Sequence, residues 1–220
     1  MPRLTRKEKQ AYTRSCLMKS AAKVFATRGL QQASIDEVAE DAGFTKGAFY
    51  ANFKNKEELF LAMLDERFAE RIEQIERVIA SEGTHSEKAL RAGEDFTRMI
   101  AADPEWQRLF FEFSAYGMRN EEFRQELVTR YRWLQDRVAA ALAGEMDTSP
   151  VVPLEQVALM TCAMGNGVAL ESLLEGDAVP EDLYGTMLMI FFTGLKALEQ
   201  EVLSASPSAS AIAPLASRPR

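Results

Sequence analysis

The stretch "SIDEVAEDAGFTKGAFYANFKNKEELF", residues 34–60, constrains this chain more than any other. Ser34 followed by Glu37 is a capping box, in which each side chain satisfies a free amide of the first helical turn, so a helix starts here. Ile35, Val38, Ala39 and Ala42 give that helix an apolar face. Gly43 stops it, Phe44 follows, and Thr45 caps a second helix from about Lys46 to Asn52. A helix of about seven residues is only about 10 Å long. Neither piece can build a core alone, so the pair must lie on a scaffold of longer helices. Two short helices joined by a tight glycine turn form a helix-turn-helix, in which the second helix offers one side to the major groove of DNA.

Spacing sorts the second helix into two sides. Phe49 and Phe53 are four residues apart and share a face that can anchor it, with Phe44 able to join them. Gly47 and Ala51 lie opposite, where small side chains permit close approach to a groove. Thr45 and the free amides at the helix start suit a phosphate. Tyr50 suits a phosphate through its hydroxyl, and Lys46 can reach phosphate or guanine. Ala48 can touch a thymine methyl, and Asn52 can bond phosphate or adenine. Lys54 and Lys56 suit backbone contacts, which position rather than specify. With Ser34 at the start of the first helix, these residues are the candidate DNA-contacting set.

The rest of the chain reads as helix throughout, because no segment sustains the alternation of a strand. The spacing predicts helices over about 12–28, 56–79, 86–102, 104–117, 120–143, 154–175 and 181–203. With the two short ones this makes an all-α fold of about nine helices. Gly29 ends the first, whose inward stripe is Leu17, Ala21, Val24 and Phe25. The reading divides the chain into a DNA-binding domain at 1–56, a helical body at 57–203 and a Ser/Ala/Pro-rich tail at 204–220, expected to be disordered.

Charge follows the same division. The net charge is −7, yet residues 1–56 carry 11 Lys/Arg against 5 Asp/Glu. A basic head on an acidic body points to a polyanion for the head alone. The basic arm of Arg3, Arg6, Lys7, Lys9 and Arg14 either stays solvated or reaches phosphates or a minor groove. Two cysteines far apart, Cys16 and Cys162, give no disulfide framework and fit a reducing cytoplasm. His85 is the single histidine and lies in a polar connector, so no metal or nucleophile-base constellation points to an enzyme. No run of about 18 apolar residues suggests a membrane span.

The combined pattern resembles the DNA-binding head of the tetracycline-repressor (TetR) family. Ala42-Gly43, Thr45, Gly47, Phe49-Tyr50, Phe53 and Lys56-Glu57-Glu58-Leu59 carry the resemblance, with Phe25 and Gly29 matching the exit of the first helix. It covers about residues 12–65. One departure is Asn52, where the family often has His. The resemblance implies a homodimer that binds a palindromic double-stranded operator, acts as a repressor, needs no cofactor and is released by a small molecule bound in the body. The alternative is a helical interaction module whose head binds protein.

In the body, aromatic and methionine residues concentrate, and pockets are themselves mainly apolar. The candidate lining is Phe96, Met99, Trp106, Phe110, Phe113, Trp133, Met164 and Asn166, which would suit an apolar or aromatic effector. Gly165 and Gly167 suggest either close helix approach or room for a ligand. The last two helices have broad apolar sides, either monomer core or, as the resemblance favours, a four-helix dimer interface. Val157, Thr161, Val168, Met187, Phe191, Leu195 and Leu198 are its candidates.

Overall fold

The computed structural model describes residues 5–144, 151–176 and 179–205, which hold nine helices and no strand. They are α1 (Arg6–Gln32), α2 (Ile35–Asp41), α3 (Lys46–Tyr50), α4 (Lys56–Ala80), α5 (His85–Ala102), α6 (Pro104–Gly117), α7 (Glu121–Ala143), α8 (Leu154–Glu175) and α9 (Leu183–Ala205). The all-α expectation and the helix count hold.

The boundaries follow local chemistry. α1 starts earlier than expected because Thr5 and Glu8 form a capping box, the Thr5 amide donating to Glu8 Oε2 at 2.7 Å. Gly29, at φ 74°, breaks α1 before a last short turn, a backbone conformation that favours glycine. α3 ends two residues sooner than expected, in a tight turn where Phe53 N donates to Phe49 O at 2.9 Å. Asp103 caps α6 through Trp106 N at 3.0 Å, with Pro104 at its first position. Ser204 and Ala205, read as tail, close α9, and residues 206–220 lie outside the described ones.

The largest core cluster crosses the division at residue 56. It joins Leu17, Ala21 and Phe25 of α1, Val38 of α2, Phe49 of α3, Phe60 and Leu64 of α4, Phe110 and Phe113 of α6, and Phe123 of α7. Phe60 and Phe113 stack at 3.6 Å between ring centroids, and Phe25 meets Phe113 edge-on at 5.9 Å. A second cluster lies between α5, α8 and α9, a third between α4, α7 and α8. At the α5–α9 crossing Gly93 faces Gly185 so closely that a methyl group on Gly93 would lie 2.1 Å from Gly185 N.

Candidate functional site

The two-sided reading of α3 holds as geometry. Phe49 and Phe53 are fully buried, while Tyr50 on the same helix is 52% exposed. Thr45 accepts from Ala48 N at 3.2 Å, fixing the helix start. Ser34 accepts from Glu37 N at 3.1 Å, so its oxygen is occupied by capping. Thr45, Lys46, Gly47 and Lys54 are all exposed, and Ala48 is half-buried. Lys46 Nζ donates to Asp36 Oδ2 at 2.9 Å, and that bond holds the ammonium above its ordinary pKa. This ion pair is solvent-exposed, and such pairs contribute little, so a phosphate can displace Asp36 without large cost.

Two expected DNA contacts are placed differently. Lys56 is half-buried, and its Nζ donates to Leu30 O at 2.7 Å and Ala33 O at 2.8 Å. Those carbonyls end α1 and lack helical partners, so the lysine clamps α4 to the α1–α2 link rather than standing free for phosphate. Asn52 is half-buried, its Nδ2 donating to Ala48 O at 2.8 Å, which turns the side chain back on its own helix. Arg14 lies 4.2 Å over the Phe53 ring and donates to Asn52 O at 3.0 Å, so it docks on the motif, whereas Arg6, Lys7 and Lys9 are exposed on α1. Arg3 lies outside the described residues. Lys56→Met is expected to cost about 2–3 kcal/mol in urea unfolding, from two carbonyls left without a charged donor. A melt unchanged within error would show the clamp to be incidental.

The head is tied to the body through α6. Leu30 N, one residue past the glycine break, donates to Glu112 Oε1 at 2.8 Å. Tyr116 Oη donates to Glu57 Oε1 at 3.1 Å and accepts from Asn120 Nδ2 at 2.9 Å. The opposite end of α6 lines a cavity.

That cavity, of about 800 Å³, lies among α4 to α9, is partly open to the surface and is lined mainly by apolar groups. Phe96, Met99, Trp106, Phe110 and Asn166 line it as expected. Three expected residues do not. Phe113 is consumed by the aromatic core, Trp133 is 45% exposed on the outer side of α7, and Met164 packs against the α5–α9 cluster. Gly165 meets both expectations, since it lines the cavity and a methyl there would meet Phe96 and Tyr184 at 3.3 Å, while Gly167 faces open space. His85 begins α5 at the cavity rim, not in a connector. Sequence reading missed Arg71, Tyr131 and Tyr184. Arg71 had a signal: it follows Phe68 by three residues and precedes Ile75 by four, putting a cation on the buried stripe of α4. Burial pushes the Tyr184 hydroxyl up to about 12 and the Cys162 thiol to about 11, so both stay protonated at neutral pH. Among the described residues no cluster of His, Cys, Asp or Glu could hold a metal.

The expected dimer residues divide. Val157, Thr161, Val168 and Leu195 are buried within this chain, and Met187 and Phe191 are half-buried. Leu198 is exposed, as are Leu170 and Leu174 of α8 and Ile190 of α9, the last two at 71% and 64%. α8 is apolar around its whole circumference, so periodicity could not tell its inner side from its outer one. It is the one helix among the described residues long and apolar enough to cross a membrane, and it packs here against α7, α9 and α6.

Residues 17–63 match the sequence profile of bacterial regulatory proteins of the tetR family, and residues 85–195 that of the C-terminal domain of BetI-type transcriptional repressors. The chain is 25% identical over 193 residues to the HTH-type transcriptional regulator YfiR of Bacillus subtilis, covering 84% of this chain and 90% of that protein. It is 32% identical over 99 residues to the HTH-type transcriptional activator FasR of Mycolicibacterium smegmatis, 45% of each. The crystal structure of FadR from Bacillus subtilis in complex with stearoyl-CoA superposes with a TM-score of 0.67 at 18% identity, covering 80% of this chain and 95% of that one. Salmonella enterica GusR gives 0.67 at 23%, covering 88% and 98%. At such identities the superpositions establish the fold.

Proposed function

Because the chain belongs to the tetR family of bacterial regulatory proteins, and so is a DNA-binding transcriptional regulator, we propose that it works as a ligand-released repressor. It binds a palindromic operator as a homodimer, and an apolar or aromatic molecule filling the cavity of the body weakens that grip. One observation carries the reading: α3 and the turn after it bury Phe49 and Phe53 in a core that continues to α6, while Thr45, Lys46, Gly47 and Tyr50 stay outside. A change of shape in the body can therefore reach the DNA-facing side through packed atoms. The match of the body to a repressor profile supports the sign of regulation, and the ligand held by the Bacillus subtilis FadR structure supports a body that takes small molecules. The exposed apolar side chains Leu170 and Leu174 on α8 and Ile190 and Leu198 on α9 support a second copy docking on these two helices. Work on the chromosome places the protein in the cytoplasm.

The test is salt-dependent binding to fragments flanking the chain's own gene, followed by fluorescence anisotropy. Affinity should fall steeply with salt, by a log–log slope of about −0.9 per phosphate neutralised. Tyr50→Ala removes a phosphate hydrogen bond and is expected to weaken operator binding by about 1.5–3 kcal/mol, roughly 10–100-fold, with stability unchanged. Binding that ignores salt, or a Tyr50→Ala chain that binds as well as its parent, would favour a head that contacts protein.

A further inference from the structure

We propose that the cavity takes an amphipathic anion, an apolar tail with one carboxylate-type head, and that Arg71 receives the head. The proposal rests on the body being the effector site and names the class of molecule it accepts.

Arg71 projects from α4 into the cavity and lies 4.8 Å over the Phe96 ring. Its hydrogen bond to Gln74 Oε1 is 3.5 Å long, at the limit of the interaction. The Tyr184 hydroxyl stands beside it. Among the described residues no carboxylate forms an ion pair with it, and burial disfavours its charge. A guanidinium nevertheless stays protonated in proteins, and a buried one is strongly destabilising unless a counter-charge meets it. A purely structural arginine in such a place would have a carboxylate partner. The carboxylate whose charge reaches it, Asp95, lies beyond ion-pair distance and is bound to Arg98 at 3.0 Å, while Asp103, at the cavity wall, is committed to Arg67 and to capping α6.

The surroundings define the rest of the ligand. Tyr184 Oη donates to Thr161 O at 3.0 Å, which aims its lone pairs away from that carbonyl and lets it accept from Arg71. The guanidinium is thereby held with donors to spare, in the planar fork that matches a carboxylate or phosphate in two parallel bonds. Phe68, Phe110, Leu134, Val138, Leu188 and Phe192 supply apolar wall beyond it. A cationic ligand would meet an unneutralised arginine, and a neutral one would leave that arginine unpaired. An anionic head with a long apolar tail answers both demands, and the volume of about 800 Å³ admits a molecule of that kind.

The experiment is calorimetric titration of the full chain with dodecanoate, dodecyl phosphate, methyl dodecanoate and dodecan-1-ol, all below their aggregation limits. Dodecanoate or dodecyl phosphate is expected to bind at least about tenfold tighter than the neutral pair, and the better of the two distinguishes a carboxylate from a phosphate head. Arg71→Met should abolish that preference and leave dodecan-1-ol binding unchanged or tighter, while Arg71→Lys should keep part of it. Neutral ligands binding as tightly as the anions in the unsubstituted chain would overturn the proposal, even if Arg71→Met failed to fold. So would an anion preference that survives Arg71→Met, or no binding of either anion. Release from DNA is measured separately by anisotropy. Anion binding through Arg71 without DNA release would remove the effector reading alone. Release by dodecan-1-ol as readily as by dodecanoate would remove the anion proposal alone.

Discussion

Phe113→Ala is expected to lower stability by about 3–5 kcal/mol, the range for truncating a buried aromatic. Phe113 has no exposure and touches rings from three other helices: Phe60 of α4, Phe25 of α1 and Phe123 of α7. These rings are themselves locked in the core, so none can swing in to fill the void. The urea midpoint by circular dichroism should fall sharply, and Trp106 fluorescence should report the same transition, because Trp106 stacks on Phe60 at 5.7 Å. Trp133→Ala is the matched control. Its side chain is largely outside the core, so its change should stay within about 0.5 kcal/mol. Equal effects from the two would mean that the ring stack does not organise the fold.

Gly93→Ala should be nearly as severe, by the opposite cause. The new methyl would sit 2.1 Å from Gly185 N and 2.2 Å from Gly185 Cα. Those are backbone atoms, so no rotamer change relieves the overlap and α5 must back away from α9. Overpacking of this kind costs about 1–3 kcal/mol and sometimes more, and the upper end applies here. Gly185→Ala, whose methyl would meet Leu90 O at 3.0 Å, should cost less. Both helices line the cavity, so ligand affinity should fall along with stability. A Gly93→Ala chain that melts like its parent would show that the two helices do not cross this closely in solution.

The helices were legible because their signals are local. Ser34 with Glu37, Thr45, Pro104 and the glycine at 29 each act within a few residues, and the structure uses every one. The outward and inward sides of α3 were legible for the same reason, since Phe49 and Phe53 sit one turn apart. What stayed hidden depends on partners distant in sequence. Lys56 looks like a phosphate contact until Leu30 and Ala33 are brought beneath it. Phe113 and Phe110 are both aromatic positions of one helix, yet only Phe110 reaches the cavity, because Phe60 occupies the other side. Val157 and Leu170 are equally apolar, and nothing in α8 alone says which of them meets its own chain. Arg71 was readable in principle, as a charge on an apolar stripe.

The seam between head and body sets a limit on exchanging parts. Grafting residues 1–56 onto a foreign scaffold would strip Phe25 of its ring partner Phe113 and leave Leu30 N without Glu112. The transplant would carry a sticky patch and an orphaned amide, and a chimaera built that way should be poorly soluble. α3 is different. It is five residues long, and it enters the core through Phe49 alone, with Phe53 just beyond its end. On the proposed function, redirecting this protein to a new operator would mean rewriting Lys46, Gly47 and Ala48 in place, around two phenylalanines and a phosphate-binding Tyr50 left untouched.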